Sequence, residues 1–535
     1  MIYLENLIQE EYKTWGREGP STIFFDASTG TGKTTFILKR LHAYAREQGR
    51  TIKIYVPRLT LRDMYEEWKE DFAVEKSIDL LKIDSEIVVE TYQSIAEKVK
   101  HGQEIEYADY LVFDEVHCLL SDSLFNTDTN LVFSYVLNQK KSNVRIFMSA
   151  TGERIFSKII NENALNDFEE EHPGRALPVH VSQKEFKRYI LHRNIKYNIK
   201  YYDAKLSRKD VIKSNLSGKW VVYVTNKDVG EKLRDELLHD GIYATFISRQ
   251  KRQIESETFY SISALERFSA QVLITTAVVE TGVNFRDDIA NVMVEANFRE
   301  QFLQMLGRRR YVEGAEINLY IPQRNERYFS ILLGEYQKLH EVYQIIRENG
   351  EDKIPQLLEK GVLDFAIASK ILYVHKGVFK VNMLSVEEMI YCKSILKKRL
   401  MAMEKDNMAF VKEQLSWLGE LESFTEANSF KENIRQGAIA ALKNTIYECV
   451  VEKKNFDNNA KIQWLRGLIP FVKEIDGKLV IKGGFSEGSF NKLCEQLGLG
   501  FRMESSNRNP ERKTYFWIAE KPAVAKENKE GVIED

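Results

Sequence analysis

The chain contains little cysteine, and none of it is clustered. Its four cysteines among 535 residues lie far apart and form no C-x-x-C pair: Cys118, Cys392, Cys449 and Cys494. This spacing argues against a zinc ribbon, an iron–sulfur cluster or a disulfide framework, because each of these needs paired or closely spaced thiols. We therefore expect reduced thiols and a cytoplasmic location.

Long apolar runs and an excess of positive charge are also missing. No run reaches the about 20 apolar residues that a membrane-spanning helix needs, and the first residues lack the basic and apolar regions of a secretory signal. The net charge is −2, whereas a protein that contacts phosphate over its whole surface is normally basic. Any contact with nucleic acid is therefore expected in a local groove.

A candidate phosphate-binding loop lies near the start of the chain. Residues 27–34 read A-S-T-G-T-G-K-T, after an apolar strand-like segment (21–25) and before an apolar helical one (35–41). A strand, a glycine turn and a helix N-terminus together direct backbone N–H groups at one anion. Ala27 is a departure, because the general pattern has a glycine at this position.

Each residue type in this loop has a chemical reason. Gly30 and Gly32 permit positive φ and a close approach to phosphate. Lys33 is expected to reach the β- and γ-phosphates of a nucleotide, and the Thr34 hydroxyl to bind magnesium. The predicted nucleotide-binding residues of the loop are Thr29, Gly30, Thr31, Gly32, Lys33, Thr34 and Thr35.

Apolar strand-like segments alternate with helical ones through the first 325 residues. This alternation predicts parallel α/β sheets, whose ligands gather at the carboxyl ends of the strands. The pattern restarts after residue 219 without a second phosphate-binding loop, so we expect two such domains. The predicted strands are 51–56, 87–90, 110–113 and 144–148, and then 220–224, 271–274 and 292–295.

The order and spacing of the polar segments that follow these strands resemble the motifs of superfamily 2 helicases of the DEAH/DExH-box kind. The matching segments, for motifs I, Ia, Ib, II, III, IV, V and VI, are 27–34, 57–61, 91–94, 114–117, 149–151, 222–226, 275–284 and 304–310. The resemblance covers roughly residues 1–325. It implies two tandem RecA-like domains that close around ATP and Mg²⁺.

Motif II, D-E-V-H, carries the expected hydrolytic chemistry. Asp114 directly follows an apolar strand and is expected to organise magnesium through water, since magnesium keeps several waters. Glu115 is the candidate that orients or deprotonates the attacking water. The resemblance implies that His117 couples the ATP site to the second domain, by bonding to Gln304 or to the S-A-T segment of motif III.

Motif VI departs from the family pattern Q-x-x-G-R-x-x-R. Gln304, Gly307 and Arg308 fit this pattern, but Tyr311 occupies the position of the last arginine. That arginine normally reaches across the cleft to the charge that develops on the phosphate. Arg310 or its neighbour Arg309 can substitute for it if the turn adjusts; otherwise Arg308 must serve alone, with slow turnover.

The remaining motifs give candidate nucleotide and strand contacts. In motif V the resemblance assigns Gly282 and Asn284 to the nucleotide. The segment 280–284 resembles that of DNA translocases more than that of DEAD-box RNA proteins, which favours DNA. Contacts with the strand go to its phosphates and are not sequence-specific, and the candidates are Pro57, Arg58, Thr91, Gln93, Thr225, Thr275 and Thr276.

The last two-fifths of the chain differ in composition and in the spacing of apolar residues. No proline occurs between Pro355 and Pro470, and helical spacing of apolar residues predicts a mostly α-helical region. Ser385 and Glu388 fit a capping box at the start of one helix. The end resembles a winged-helix module, with a small structural cap as the alternative. The predicted domains are 1–185 and 186–325 (RecA-like), 326–460 (helical), 461–520 (small α+β) and 521–535 (disordered tail).

The predicted function is that of an ATP-dependent helicase or translocase that acts on DNA, with 3′ to 5′ movement implied by the resemblance. One alternative is an RNA helicase or RNA-remodelling ATPase. A second, motivated by Tyr311, is a nucleotide-dependent clamp or scaffold with weak turnover. The expected partner is nucleic acid, and no membrane association is expected.

Overall fold

The computed structural model describes residues 3–17, 21–138, 144–171, 186–192, 195, 197–203, 208–248, 261–262, 266–276, 285–309, 317–420, 430–476, 485–506 and 516–520. Contacts between residues divide the chain into two compact units, Met1–Ser423 and Phe424–Asp535. Among the described helices, none is both long and apolar enough to cross a bilayer.

The first unit begins with a six-stranded parallel sheet. Its order is β3-β2-β4-β5-β1-β6, and its central strands are apolar and buried, as expected for a parallel sheet covered on both faces. The strands are β1 (Thr22–Ala27), β2 (Ile52–Val56), β3 (Ile87–Thr91), β4 (Tyr110–Phe113), β5 (Val144–Ser149) and β6 (Phe186–Leu191).

A second six-stranded parallel sheet follows, with the order β7-β12-β11-β8-β10-β9. Its strands are β7 (Tyr197–Asp203), β8 (Lys219–Tyr223), β9 (Ala244–Ile247), β10 (Val272–Thr275), β11 (Ile289–Val294) and β12 (Ile317–Gln323). The prediction of two tandem RecA-like sheets is confirmed. We call the parts built on the two sheets the first and second domains.

The predicted boundary at 185/186 falls one strand too early. β6 pairs in parallel with β1, with Phe186 opposite Thr22, so it completes the first sheet. Its residues are all half-buried or exposed, and such an edge strand lacks the continuous apolar run by which the central strands are recognised.

Helices cover both sheets. Those of the first domain are Leu4–Ile8, Glu11–Thr14 (3₁₀), Lys33–Thr35, Phe36–Leu41 (π-helical), His42–Glu47, Leu59–Lys76, Leu80–Glu86, Tyr92–Lys100, Cys118–Ser121, Thr129–Asn138 and Glu153–Glu171. Those of the second domain are Arg208–Lys213, Lys227–His239 and Arg299–Leu306.

The rest of the first unit is mostly helical, as predicted, and also contains an antiparallel hairpin of β13 (Leu372–His375) and β14 (Val378–Val381). The predicted capping box at Ser385 is wrong. Asn382 caps the helix by accepting a bond from the Ser385 N–H at 3.1 Å, and the Ser385 hydroxyl donates to the Ser123 carbonyl at 2.8 Å. The helices are Glu326–Asn349, Glu351–Lys353 (3₁₀), Ile354–Glu359, Phe365–Ala368, Met383–Met403 and Ala409–Trp417.

The second unit begins earlier than the predicted boundary at 460/461. Its first helix, Phe430–Val451, shares a core with the later elements through Leu442, Ile446 and Phe490. The other elements are Asn458–Gly467, Ile469–Asp476, Glu487–Gln496, β15 (Phe501–Ser505) and β16 (Phe516–Glu520), the two strands pairing antiparallel. The predicted disordered tail, 521–535, lies outside the described residues.

Candidate active site

The phosphate-binding loop connects β1 to the helix that begins at Lys33. Gly30 and Gly32 have φ of 77° and 90°, a left-handed conformation that glycine adopts without the steric cost of a Cβ. Within the loop, the Thr31 hydroxyl donates to the Ser28 carbonyl at 2.7 Å. The loop therefore has the turn and the following helix N-terminus that a phosphate site requires.

Lys33 points into this loop. Its side chain is only 8% exposed, and its Nζ donates to the Ala27 carbonyl at 2.5 Å and to the Ser28 carbonyl at 3.2 Å. Burial lowers the pKa of Lys33, while the negative charges of Glu115 and Asp114 oppose that shift. An anionic phosphate is thus a favourable additional partner for this ammonium group.

Asp114 and Glu115 follow β4 and lie buried beside Lys33. Burial, together with the neighbouring charge of Glu115, raises the pKa of Asp114. Burial also acts to raise the pKa of Glu115, but His117, Arg308 and Lys33 outweigh it and lower that pKa. The pKa values of the two carboxyl groups are therefore shifted in opposite directions, and Glu115 is the one whose ionised form is favoured, as expected of a water-activating base.

Glu115 has an unusual backbone. Its φ is +47°, in the left-handed region that costs a residue other than glycine about 1–3 kcal/mol and persists only where the surroundings enforce it. The Glu115 N–H donates to Asp114 Oδ1 at 2.9 Å. Among the described residues, Glu115 Oε2 has no hydrogen-bond partner, so it can accept a bond from a water in the cleft.

His117 contacts motif III. Its Nδ1 lies 3.0 Å from Ser149 Oγ and 3.4 Å from Glu115 Oε2. Burial lowers the pKa of His117, so its neutral form is favoured. Ser149 Oγ also accepts a bond from the Thr151 N–H at 3.0 Å, which connects the histidine to the end of motif III.

The second domain contributes Gln304 and Arg308. Gln304 lies in the last turn of the helix Arg299–Leu306, and Arg308 lies two residues beyond its end. Gln304 Nε2 donates to Thr151 Oγ1 at 2.9 Å, and Arg308 Nη2 donates to Gln304 Oε1 at 2.8 Å. Arg308 Nη2 also lies 3.4 Å from Glu115 Oε1.

These contacts form a closed ring of six residues that joins the two domains. We call it the interdomain ring: Ser149, Thr151, Gln304, Arg308, Glu115 and His117. All except Ser149 and Thr151 were predicted as catalytic residues, and those two belong to the segment predicted as motif III. The structure thus brings motifs II, III and VI together at one point.

Gly307 brings the second domain against the phosphate-binding loop. A Cβ placed on Gly307 would lie 2.8 Å from Thr29 Oγ1 and 3.3 Å from Thr29 Cβ, closer than ordinary van der Waals contact. Thr29 is therefore positioned at the interface with the second domain, and Gly307 permits that close approach.

The other candidate arginines differ in placement. Arg309 is buried, and its Nη2 lies 3.9 Å from Asp288 Oδ1 rather than beside Glu115. Arg310 and Tyr311 lie outside the described residues, as do Gly282 and Asn284 of motif V. Of the described arginines in motif VI, Arg308 is the one that contacts the Glu115 carboxylate.

The residues predicted to hold magnesium supply suitable ligands. Thr34 and Asp114 offer hydroxyl and carboxylate oxygens, the donors that Mg²⁺ prefers, and phosphates and water complete its shell. The Tyr65 hydroxyl, fully buried, donates to Asp114 Oδ2 at 2.9 Å and also bonds to the Thr34 side chain. Thr34 and Asp114 therefore share the Tyr65 hydroxyl as a hydrogen-bond partner, and their oxygen donors fit the metal.

The predicted strand contacts divide into exposed and buried residues. Thr225 and Gln93 are exposed, and Thr91, Thr276 and Arg58 are half-buried. Arg58 forms an ion pair with Asp122, with Nη2 and Oδ2 2.5 Å apart. Two residues are buried and cannot contact a strand in this conformation, namely Pro57 and Thr275, whose hydroxyl donates to the Thr276 carbonyl.

Sequence reasoning missed two tyrosines at the site. Tyr65 lies in a helix outside the motifs. Tyr92 lies inside motif Ib, where only its neighbours Thr91 and Gln93 were named as candidates. Tyr92 donates from its hydroxyl to the Asp114 main-chain carbonyl at 2.7 Å. A tyrosine at either position is read as an ordinary core residue, so only the structure identifies the two hydroxyl contacts.

Comparison with known proteins gives one matching family and matches among solved structures. Residues 3–154 match the family described as Type III restriction enzyme, res subunit. No curated protein matches the chain. Among solved structures, S. cerevisiae Dbp5 bound to RNA and ADP BeF3 is 15% identical with a TM-score of 0.39, over 57% of this chain and 79% of that one. A single-substitution variant of the same protein, with the same ligands, is 16% identical at the same TM-score and coverage.

Proposed function

We propose that this chain is an ATP-hydrolysing enzyme of helicase superfamily 2 that couples hydrolysis to movement along a DNA strand. The observation that carries this proposal is the interdomain ring. Glu115 and His117 of the first domain contact Arg308 across the cleft, directly or through Ser149, Thr151 and Gln304. Hydrolysis at Glu115 is thereby tied to the relative position of the two domains.

The mechanism follows from the placement of charge. Bound ATP would lie in the loop of Gly30 and Gly32, with Lys33 at its phosphates and Thr34 and Asp114 holding Mg²⁺, which would neutralise phosphate charge. Glu115 would orient the attacking water through Oε2, the oxygen that makes no hydrogen bond among the described residues. Arg308 would stabilise the negative charge that develops during transfer.

Movement would come from the closing and opening of the domains. The half-buried and exposed candidates of the two domains, Thr91, Gln93, Arg58, Thr225 and Thr276, would hold the phosphates of one strand. Such contacts are sequence-tolerant and weaken with salt. The matching family is that of a restriction enzyme subunit, which favours DNA, and 3′ to 5′ is the direction we propose. Four buried free cysteines fit a reducing, cytoplasmic compartment.

The test is steady-state ATP hydrolysis with Mg²⁺, without nucleic acid and with single-stranded DNA or RNA. Stimulation by DNA that disappears in Lys33→Ala and Glu115→Gln supports the proposal. Stimulation by RNA alone would make the chain an RNA-dependent ATPase. A near-zero rate in both the wild-type and the Glu115→Gln protein, with ATP still bound, would make it a nucleotide-dependent clamp.

The position of Arg308 weighs against the clamp. That alternative arose because Tyr311 replaces the last arginine of motif VI. Arg308 lies beside Glu115 even so, so the cleft retains a guanidinium from the second domain at the catalytic carboxylate. We therefore expect turnover rather than nucleotide binding alone.

A further inference from the structure

Tyr92 lies between a candidate strand-binding turn and the catalytic carboxylates. The turn is at the end of β3, where Thr91 Oγ1 accepts a bond from the Ser94 N–H at 3.3 Å and caps the helix Tyr92–Lys100. Gln93 is exposed and Thr91 half-buried, whereas Tyr92 is 3% exposed. Within this short segment, Gln93 therefore faces the solvent and the adjacent Tyr92 faces the interior of the domain.

The buried hydroxyl of Tyr92 holds the peptide unit that joins Asp114 to Glu115. It donates to the carbonyl oxygen of that unit at 2.7 Å. The N–H of the same unit donates to Asp114 Oδ1 at 2.9 Å. Both polar groups of this peptide are thus fixed, one by the tyrosine and the other by the candidate magnesium ligand.

The orientation of this peptide decides where Glu115 points. Rotation about the Glu115 N–Cα bond is the φ angle, which is held at +47°, a conformation that needs support from its surroundings. Main-chain bonds from the neighbouring strands hold the flanking residues, Asp114 N–H to the Tyr55 carbonyl at 2.9 Å and Val116 N–H to the Met148 carbonyl at 3.1 Å. The Tyr92 hydroxyl is the side-chain support for the peptide between Asp114 and Glu115. If the turn at Thr91 shifted by about 1 Å, the bond would exceed hydrogen-bonding distance.

We propose that Tyr92 is a positioning residue that couples occupancy of the Thr91–Gln93 turn by a nucleic-acid strand to the orientation of Glu115. This inference rests on the proposed function and specifies how strand binding stimulates hydrolysis. A strand that fixes the turn also fixes the Tyr92 hydroxyl, and with it the peptide that aims Glu115. Without a strand, the turn lacks this added restraint, so the turn and the Glu115 carboxylate can shift together.

The test compares Tyr92→Phe, which removes only the hydroxyl, with a matched control. Tyr135→Phe is that control, since Tyr135 is a buried tyrosine of the same domain whose hydroxyl bonds to the Tyr55 hydroxyl at 3.0 Å. The first readout is the ratio of kcat with single-stranded DNA to kcat without it. We expect this ratio to fall about fivefold or more in Tyr92→Phe, the lower end of typical coupling, and to stay near the wild-type value in the control.

The second readout is binding without turnover. Coupling is reciprocal, so a nonhydrolysable ATP analogue with Mg²⁺ must change strand affinity by the same factor by which strand changes nucleotide affinity. Fluorescence anisotropy with labelled single-stranded DNA measures the strand Kd with and without the analogue. We expect Tyr92→Phe to reduce this difference, while the Kd of the nucleotide-free protein stays within about twofold of wild type, as the hydroxyl is buried.

Three results would overturn the inference alone: a wild-type stimulation ratio in Tyr92→Phe, an equal loss of basal and stimulated rates, or a large loss of nucleotide-free strand affinity. A wild-type protein that no nucleic acid stimulates would overturn the proposed function as well. If Tyr92→Phe does not fold, hydrogen–deuterium exchange of the wild-type protein decides. Exchange in residues 113–118 should slow when strand alone is added, and unchanged exchange would contradict the coupling.

Discussion

Replacing Arg308 with alanine should remove most of the hydrolytic rate. Arg308 Nη2 lies 3.4 Å from Glu115 Oε1, and both side chains are buried. At this distance two unit charges attract by about 5 kcal/mol with an effective dielectric constant of about 20. The cost of keeping the ions out of water offsets part of that attraction.

The same guanidinium can reach charge that develops on the phosphate, and a loss of about 4 kcal/mol there corresponds to about a thousandfold in kcat. This is the lower end of the effect of an arginine finger, about 10³–10⁵-fold. Because the charge appears only in the transition state, KM for ATP should change much less than kcat.

The assay is steady-state ATP hydrolysis at saturating nucleic acid, with thermal unfolding as a check on folding. Arg309→Ala is the matched control, because Arg309 faces Asp288 rather than Glu115. We expect the control to stay within about threefold of wild type, less than 1 kcal/mol. A folded Arg308→Ala enzyme with more than a tenth of the wild-type kcat, or an equal loss in Arg309→Ala, would refute the assignment.

Two further predictions concern the contacts between the domains. Gly307→Ala should weaken ATP-driven closure, because its Cβ would lie 2.8 Å from Thr29 Oγ1, and this should raise KM for ATP. The double variant with Thr29→Ala should recover part of the loss. No recovery would exclude this clash as the cause. Gln304→Ala and Thr151→Val each remove one partner of the same 2.9 Å hydrogen bond. Their effects on kcat should therefore be non-additive by about 1 kcal/mol in a double-mutant cycle. Purely additive effects would show that this bond does not contribute to hydrolysis.

The sequence predicts the active-site edge of each sheet because the signal there is local. Asp114 follows the four apolar residues of β4, and Lys33 follows the glycine turn after β1. Carboxyl ends of parallel strands lie at one edge of a sheet, so motif order alone places these residues near one another. The edge strand β6 was missed because its exposed and half-buried residues form no continuous apolar run.

Apart from the contact of His117 with motif III, which the family resemblance implies, the contacts across space could not be predicted in the same way. Thr29 and Gly307 are far apart in sequence, and nothing in either residue type specifies the other. The partner of the Tyr92 hydroxyl is a main-chain carbonyl, which every residue possesses, so the sequence carries no trace of that bond. The cap at Asn382 is different, because asparagine is a favoured N-cap residue: the sequence offered two local candidates, and Asn382 rather than the predicted Ser385 caps the helix.

The ring also indicates which step nucleic acid would accelerate. Arg308 is held by Gln304 at 2.8 Å and by Glu115 at 3.4 Å, and Gln304 is held in turn by Thr151. Swinging Arg308 alone would break buried contacts, each of which costs about 1–3 kcal/mol if a partner is left unsatisfied. Moving the second domain as a body separates the same groups together and lets water reach them. The arginine should therefore arrive and leave with its domain, and its share of the stimulation by a strand should appear as a change in domain closure, in addition to the orientation of Glu115 by Tyr92.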